Sequence, residues 1–253
     1  MILLHGTGDN AHIWDYFAYY TSIDFRIIAL DQRGHGNSQW AIPPAYSCID
    51  YVNDLDRLIE TLQFNGIVLM GHSLGALHAT MYAATRPEKV SGLIHIDIEP
   101  CPPTWNKKYL HDLYENLSPY YSSNTEFIEE VKKNSPYADK EMLSDIALFA
   151  LYKKEDGKFY RKYDREVLYH FDRYDLRPCL AKITCPTLII RGEESRVMRQ
   201  EIAEEMRGAI KKSRLVEIPR ATHPVHTDNP PKFQEAVLDF LSDSGLINRE
   251  RIF

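Results

Sequence analysis

The segment that most constrains this chain runs from Ile67 to Ala79. An aliphatic stretch, Ile67-Val68-Leu69-Met70, enters Gly71-His72-Ser73-Leu74-Gly75 and leaves as the alanine-rich Leu74-Gly75-Ala76-Leu77-His78-Ala79. The first run reads as a buried strand and the last as a helix, so the backbone must pass from extended to helical in one tight turn. A serine in such a turn is strained, and glycine two residues to either side leaves the space that strand and helix need to pack closely. The turn lifts the Ser73 hydroxyl clear of the sheet and aims the following N–H groups at the same point. Ser73 is therefore the candidate nucleophile of a chain built from alternating strands and helices.

The rest of the sequence follows that alternation. Residues 2–4, 25–30, 90–96, 187–190 and 215–218 read as further short strands. Residues 50–62 place Val52, Leu55, Leu58, Ile59 and Leu62 at helical spacing, and residues 233–241 form a closing amphipathic helix. The pattern predicts an α/β fold, a mostly parallel sheet flanked by helices. It stops between Cys101 and Pro178, a stretch with helical patterning that holds ten of the 16 tyrosines (109, 114, 120, 121, 137, 152, 160, 163, 169 and 174). The expected organisation is a core domain of residues 1–100 and 179–253, with residues 101–178 inserted between two strands as a helical lid. Most of the lid's aromatics should fill its own small core, and a few facing the sheet should line a pocket.

Composition removes several classes of function. The 30 basic and 36 acidic residues give a net charge of -6 with no concentrated basic face, so no nucleic-acid partner is expected. The four cysteines, Cys48, Cys101, Cys179 and Cys185, form neither a CxxC pair nor a Cys/His cluster with zinc spacing. They read as free thiols of a reducing compartment, and no metal is expected. No GxGxxG follows a strand, and no other cofactor motif is present, so no cofactor is expected. No apolar run approaches the roughly 20 residues of a membrane span, and no basic-then-apolar leader opens the chain. A cytoplasmic location is the expectation.

Three further segments carry a resemblance. His5-Gly6-Thr7-Gly8 is followed by Trp14; Asp31-Gln32-Arg33-Gly34-His35-Gly36-Asn37-Ser38 has the form DxRGxGxS; and Ile218-Pro219-Arg220-Ala221-Thr222-His223 follows the last strand. With the serine turn, these resemble the α/β-hydrolase superfamily over essentially the whole chain. The resemblance implies an acyl-enzyme mechanism in which His223 is the base for Ser73, and the backbone N–H groups of Leu74 and Thr7 hold the oxyanion. His226 is expected near the site without acting as base, His72 as a packing residue and His35 as a residue that structures its loop.

The third member of the triad departs from the family's usual pattern. Most members carry it as the aspartate of a GxxD turn after the strand that follows the lid, but here that turn reads Gly192-Glu193-Glu194-Ser195. Asp97, at the end of residues 90–96, opens Asp97-Ile98-Glu99-Pro100, which resembles the DIxP turn of a branch of small esterases and thioesterases. In that branch the acid sits on this neighbouring strand and the later turn reads RGxxS, as Arg191-Gly192-Glu193-Glu194-Ser195 does. Asp97 is the preferred acid; Glu194 and Glu193 are the alternatives. The family also has a strand or two ahead of the HG loop, whereas this chain opens at Met1-Ile2-Leu3-Leu4-His5. A less protected sheet edge is expected, one that would favour a homodimer or lower stability.

The activity these readings imply is a serine hydrolase cleaving carboxylic esters or thioesters of small to medium acyl groups, with a small-molecule substrate. A cofactor-free C–C bond hydrolase or lactonase uses the same three residue types. A non-catalytic ligand-binding member would share the fold.

Overall fold

Eight strands occur among the residues that the computed structural model describes, which are 1–23, 25–169 and 174–247. They are β1 (Ile2–Leu4), β2 (Ile28–Leu30), β3 (Ile67–His72), β4 (Val90–Ile96), β5 (Leu151–Lys153), β6 (Phe159–Arg161), β7 (Thr187–Gly192) and β8 (Ser213–Ile218). Six of them form one parallel sheet in the order β2-β1-β3-β4-β7-β8.

The inner strands β1 and β3 are buried along their whole length because both faces of the sheet are covered, whereas β8 at the edge mixes Arg214 and Glu217 with its apolar residues. Leu69, Leu93 and Ile189 pack on one face against the helices α2 (Cys48–Leu62), α3 (Leu74–Thr85) and α9 (Gln200–Ala209). Val68, Met70, Ile94 and Leu188 point the other way, against α1 (Asp15–Thr21), Trp14, α10 (Val225–Asp228) and α11 (Pro230–Asp243). The chain steps outward from β1 to β2 and then back across β1 to β3, so the order reverses between β1 and β3. In open parallel sheets such a reversal opens a crevice at the carboxyl ends of the strands. His5, Ser73, Asp97 and the turn after Gly192 all follow those ends. At the far edge, β2 has only β1 as a strand neighbour among the described residues.

Between β4 and β7 lie α4 (Thr104–Glu115), α5 (Asn124–Asn134), α6 (Lys140–Ala150), the strands β5 and β6, and the short helices α7 (Glu166–Tyr169) and α8 (Arg177–Leu180). Residues 170–173 of the expected lid and 248–253 of the expected core lie outside the described residues. The segment is mostly helical, but β5 and β6 add an antiparallel hairpin that helical patterning does not anticipate. Its turn is built on Asp156-Gly157, where Gly157 has φ 79° and the Asp156 carboxylate accepts from the Lys158 N–H at 2.9 Å. Tyr121, Phe127, Ala147 and Leu151 form a separate small core inside this segment.

The DxRGxGxS loop fastens the segment to the sheet. The Gly36 N–H donates to Lys162 O and the Asp164 N–H to Gly34 O, both at 2.7 Å, and His35 bridges to Tyr163. The loop itself is held by Asp31, which accepts from the Ala11 and Asn37 N–H groups at 2.7 and 2.8 Å. A Cβ at Gly36 would meet the Asp31 carboxylate at 2.2 Å, so this φ of 56° is reserved for glycine. The buried Tyr46 hydroxyl donates to Asp164 at 2.5 Å and accepts from the Ala41 N–H at 2.9 Å.

Tyr46→Phe strands both partners of that hydroxyl. It should lower unfolding free energy by about 1–3 kcal/mol, the usual penalty for orphaning buried polar groups, as read from urea denaturation midpoints.

Candidate active site

Ser73 sits at φ 52°, ψ -121°, between the last residue of β3 and the first of α3. That conformation is sparsely populated for a side-chain-bearing residue and costs on the order of 1–3 kcal/mol unless its surroundings enforce it. They do. A Cβ at Gly71 would meet the Gly75 carbonyl at 2.3 Å, and one at Gly75 would meet the carbonyls of Leu4 and His5 at 2.5 and 2.6 Å. Both glycines are thus required by the packing of α3 against β1 and β3, and the Ser73 N–H is tied to Ile96 O at 2.9 Å.

His223 Nε2 lies 3.0 Å from Ser73 Oγ, and His223 Nδ1 lies 2.8 Å from Asp97 Oδ2. A carboxylate only accepts, so Nδ1 carries the proton and Nε2 presents its lone pair to the serine hydroxyl. Asp97 is fully buried and, like Ser73, has φ 52°. Its N–H continues the β4–β7 ladder to Ile190 O at 2.9 Å. Its carboxylate also accepts from the Gly192 N–H at 2.9 Å and from the Ser195 hydroxyl at 2.6 Å. Ser195, which occupies the position of the family's usual aspartate, is therefore a hydrogen-bond donor to Asp97. Its Oγ in turn accepts from the N–H groups of Val197 and Met198 at 3.1 and 3.2 Å.

Glu193 and Glu194 face elsewhere. Their N–H groups donate to Ile218 O and Ala221 O at 3.0 and 2.9 Å, both residues are exposed, and neither carboxylate bonds to His223. Glu194 accepts from the Tyr137 hydroxyl at 2.6 Å, and Glu193 from the Arg220 N–H at 3.2 Å. The loop bearing His223 passes so close to this turn that a Cβ at Gly192 would meet Thr222 O at 2.3 Å.

Two neighbours hold that loop. The His72 ring donates from Nε2 to His223 O at 3.0 Å, a role beyond the packing expected of it. Asp228 accepts from the Thr222 N–H at 2.8 Å. His226 is buried against Trp14, with ring centroids 4.6 Å apart. Burial pushes the His226 imidazole down to about 3 and holds those of His5 and His72 well below the ordinary histidine range, so all three are neutral.

The HG loop closes over the serine. His5 donates from Nδ1 to Gly6 O at 2.7 Å and accepts at Nε2 from the Gln32 N–H at 3.0 Å, which fixes both its tautomer and the loop. Gly6 approaches so closely that a Cβ there would lie 3.2 Å from the Ser73 Cβ. Thr7 follows at the same rim, and its carbonyl accepts from the Tyr114 hydroxyl. The cavity above Ser73 has a volume of about 490 Å³, and its lining includes Thr7, Asp9, Tyr109, Tyr114, Arg161 and His223. Asp9 and Arg161 belong to no motif in the sequence, and only the fold brings them to this cavity. Burial pushes the Asp9 carboxyl up to about 6, against the opposing pull of Arg161 and His223. Among the described residues, no group of three His, Cys, Asp or Glu side chains could hold a metal ion, and no helix is long and apolar enough to cross a membrane.

A family profile described as alpha/beta hydrolase fold matches residues 1–230. A 2-(acetamidomethylene)succinate hydrolase of Mesorhizobium japonicum is 27% identical, covering 95% of this chain and 87% of the relative. A pimeloyl-[acyl-carrier protein] methyl ester esterase of Pectobacterium atrosepticum is 26% identical over 95% of this chain and 93% of its own length. The crystal structure of an E-2-(acetamidomethylene)succinate hydrolase superposes with a TM-score of 0.89 at 26% identity, covering 96% of this chain and 91% of that one.

The raised Asp9 carboxyl makes stability depend on pH in a definite direction. An aspartate at about 6 in the folded chain and 3.8 in its ordinary setting binds more protons folded than unfolded between those values. Its contribution to stability is therefore lost as pH rises through about 6. Asp9→Asn should gain in melting temperature over the wild type as pH is raised from 4.5 to 7.5, with the smallest difference at the acid end.

Proposed function

The chain belongs to the α/β-hydrolase family, and from that premise we propose that it is a serine hydrolase that cleaves carboxylic esters or thioesters through an acyl-enzyme intermediate. The observation that carries this reading is the continuous run from Asp97 through His223 to Ser73, at 2.8 and 3.0 Å, ending on a serine held at positive φ. Relatives named as hydrolase, lipase and esterase support it.

In the proposed mechanism, Ser73 Oγ attacks the acyl carbon as His223 Nε2 takes its proton. The imidazolium so formed is stabilised by Asp97, which stays ionised and keeps the ring oriented. Charge developing on the acyl oxygen is met by the backbone N–H groups of Leu74 and Thr7. Leu74 opens α3, where N–H groups have no helical acceptor and the helix dipole favours negative charge. His223 then protonates the leaving group, and water attacks the acyl-enzyme by the same route in reverse. The segment of residues 101–178 acts as the lid: Tyr109 and Tyr114 come from it to line the cavity.

The test is labelling and turnover. A fluorophosphonate probe should label the wild type and not Ser73→Ala. Asp97→Asn should lower turnover of a p-nitrophenyl acyl ester by roughly 10⁴, the loss found when a triad carboxylate is neutralised, whereas Glu194→Gln should stay within a few-fold. Unlabelled Ser73 beside a labelled control hydrolase would sink the proposal.

A further inference from the structure

Arg161 is an unusual residue to find bordering a cavity for neutral esters. It ends β6, and its side chain is only 15% exposed. Its guanidinium lies over the rings of Phe127 and Tyr121, at 4.7 and 5.6 Å from their centroids. Nε donates to the Tyr121 hydroxyl and Nη2 to Glu130, both at 2.8 Å. Those bonds use two of its five N–H groups, and the other three have no acceptor among the described residues. Glu130 makes burial of the cation tolerable and is itself shared, accepting also from the Tyr121 hydroxyl and the Ser118 N–H. A guanidinium so braced, with donors to spare, is preorganised for a planar anion.

Two more cations, Lys133 and Arg196, are exposed where they line the same cavity. Neither has an ion-pair partner among the described residues, and both would draw anions toward the opening. Of the acidic side chains bordering the cavity, Glu194 is engaged by Tyr137. Asp9, beside the HG loop near Gly6, is within electrostatic reach of Arg161 but makes no ion pair or hydrogen bond with it, so the spare donors of Arg161 stay open to a second carboxylate.

We propose that Arg161 binds a carboxylate carried on the acyl chain of the substrate, so that the preferred substrates are half-esters or half-thioesters of short dicarboxylic acids. The inference deepens the ester-hydrolase reading and rests on it for the position of the scissile bond. The similarity to a hydrolase named for a succinate agrees with it.

The experiment has a turnover arm and a binding arm. In the first, acid release from monomethyl succinate, glutarate and adipate is compared with release from methyl butyrate, pentanoate and hexanoate. The half-esters should show kcat/KM at least tenfold higher. Arg161→Met paired with Glu130→Gln, which avoids a stranded carboxylate, should lower that preference by roughly 10- to 100-fold, the range for losing a charged hydrogen bond. In the second arm, Ser73→Ala protein is melted with glutarate or with glutaramide. Glutarate alone should raise the melting temperature, and the Arg161→Met/Glu130→Gln substitutions should abolish the rise.

Ser73-dependent cleavage of both ester series without preference for the half-esters overturns the inference and leaves the ester-hydrolase reading intact. Arg161-dependent glutarate binding by a protein that cleaves no ester upholds the inference and overturns that reading. A glutarate effect that survives loss of Arg161 overturns the inference in favour of the outer lysine and arginine or of a nonspecific salt effect.

Discussion

A fully buried carboxylate is tolerable only when its lone pairs are met by donors, and the arrangement above Ser73 depends on how Asp97 meets that demand. Its donors come from the Gly192 N–H, the Ser195 hydroxyl and the His223 ring, on segments far apart in sequence. Satisfying one carboxylate therefore fixes the end of β4, the turn after β7 and the loop after β8 relative to one another. The Gly192 and Thr222 contact is the steric counterpart of the same constraint, since only glycine lets the two loops pass at that distance. His223 inherits its orientation from this assembly, and His72 secures the backbone beneath it.

How much of this was legible in the sequence follows from the range of the interactions involved. The turn at Ser73 was readable because strand, glycines and helix are contiguous, and the same holds for the alternation that builds the sheet. The pairing of Asp97 with an RGxxS turn was readable only through resemblance to relatives, because nothing local ties the two. The Asp156-Gly157 hairpin carried a local signal, but its flanks read as helical in an aromatic-rich stretch. Asp9 and Arg161 had no signal of their own. Each becomes conspicuous only when the fold brings the HG loop and β6 to one cavity.

The segment between β4 and β7 is attached to the sheet by more than its two ends. Main-chain hydrogen bonds from Gly36 N–H to Lys162 O and from Asp164 N–H to Gly34 O, with the Tyr46–Asp164 contact, bind it to the DxRGxGxS loop. Tyr114 joins it to the HG loop through Thr7 O. The wall of the cavity is thus held by loops that also shape its floor, and Val167, Tyr174 and Leu176 of the inserted segment join the core on one face of the sheet, so side chains from the segment and from the sheet edge are kept in register. The segment's own cluster around Tyr121 and Phe127 supplies the brace for Arg161.

The hydrogen bond between Ser195 and Asp97 also limits the ways in which such a site could change over generations. An aspartate introduced at 195 beside Asp97 would bring two carboxylates to nearly the same point, where both cannot be ionised. Removing Asp97 first would leave His223 without its carboxylate partner. A lineage that shifts its acid from one strand end to the other must therefore cross a state with either a shared proton or a missing charge. The two layouts are neighbours in space separated by a barrier in sequence, and a serine at 195 keeps this chain on one side of it.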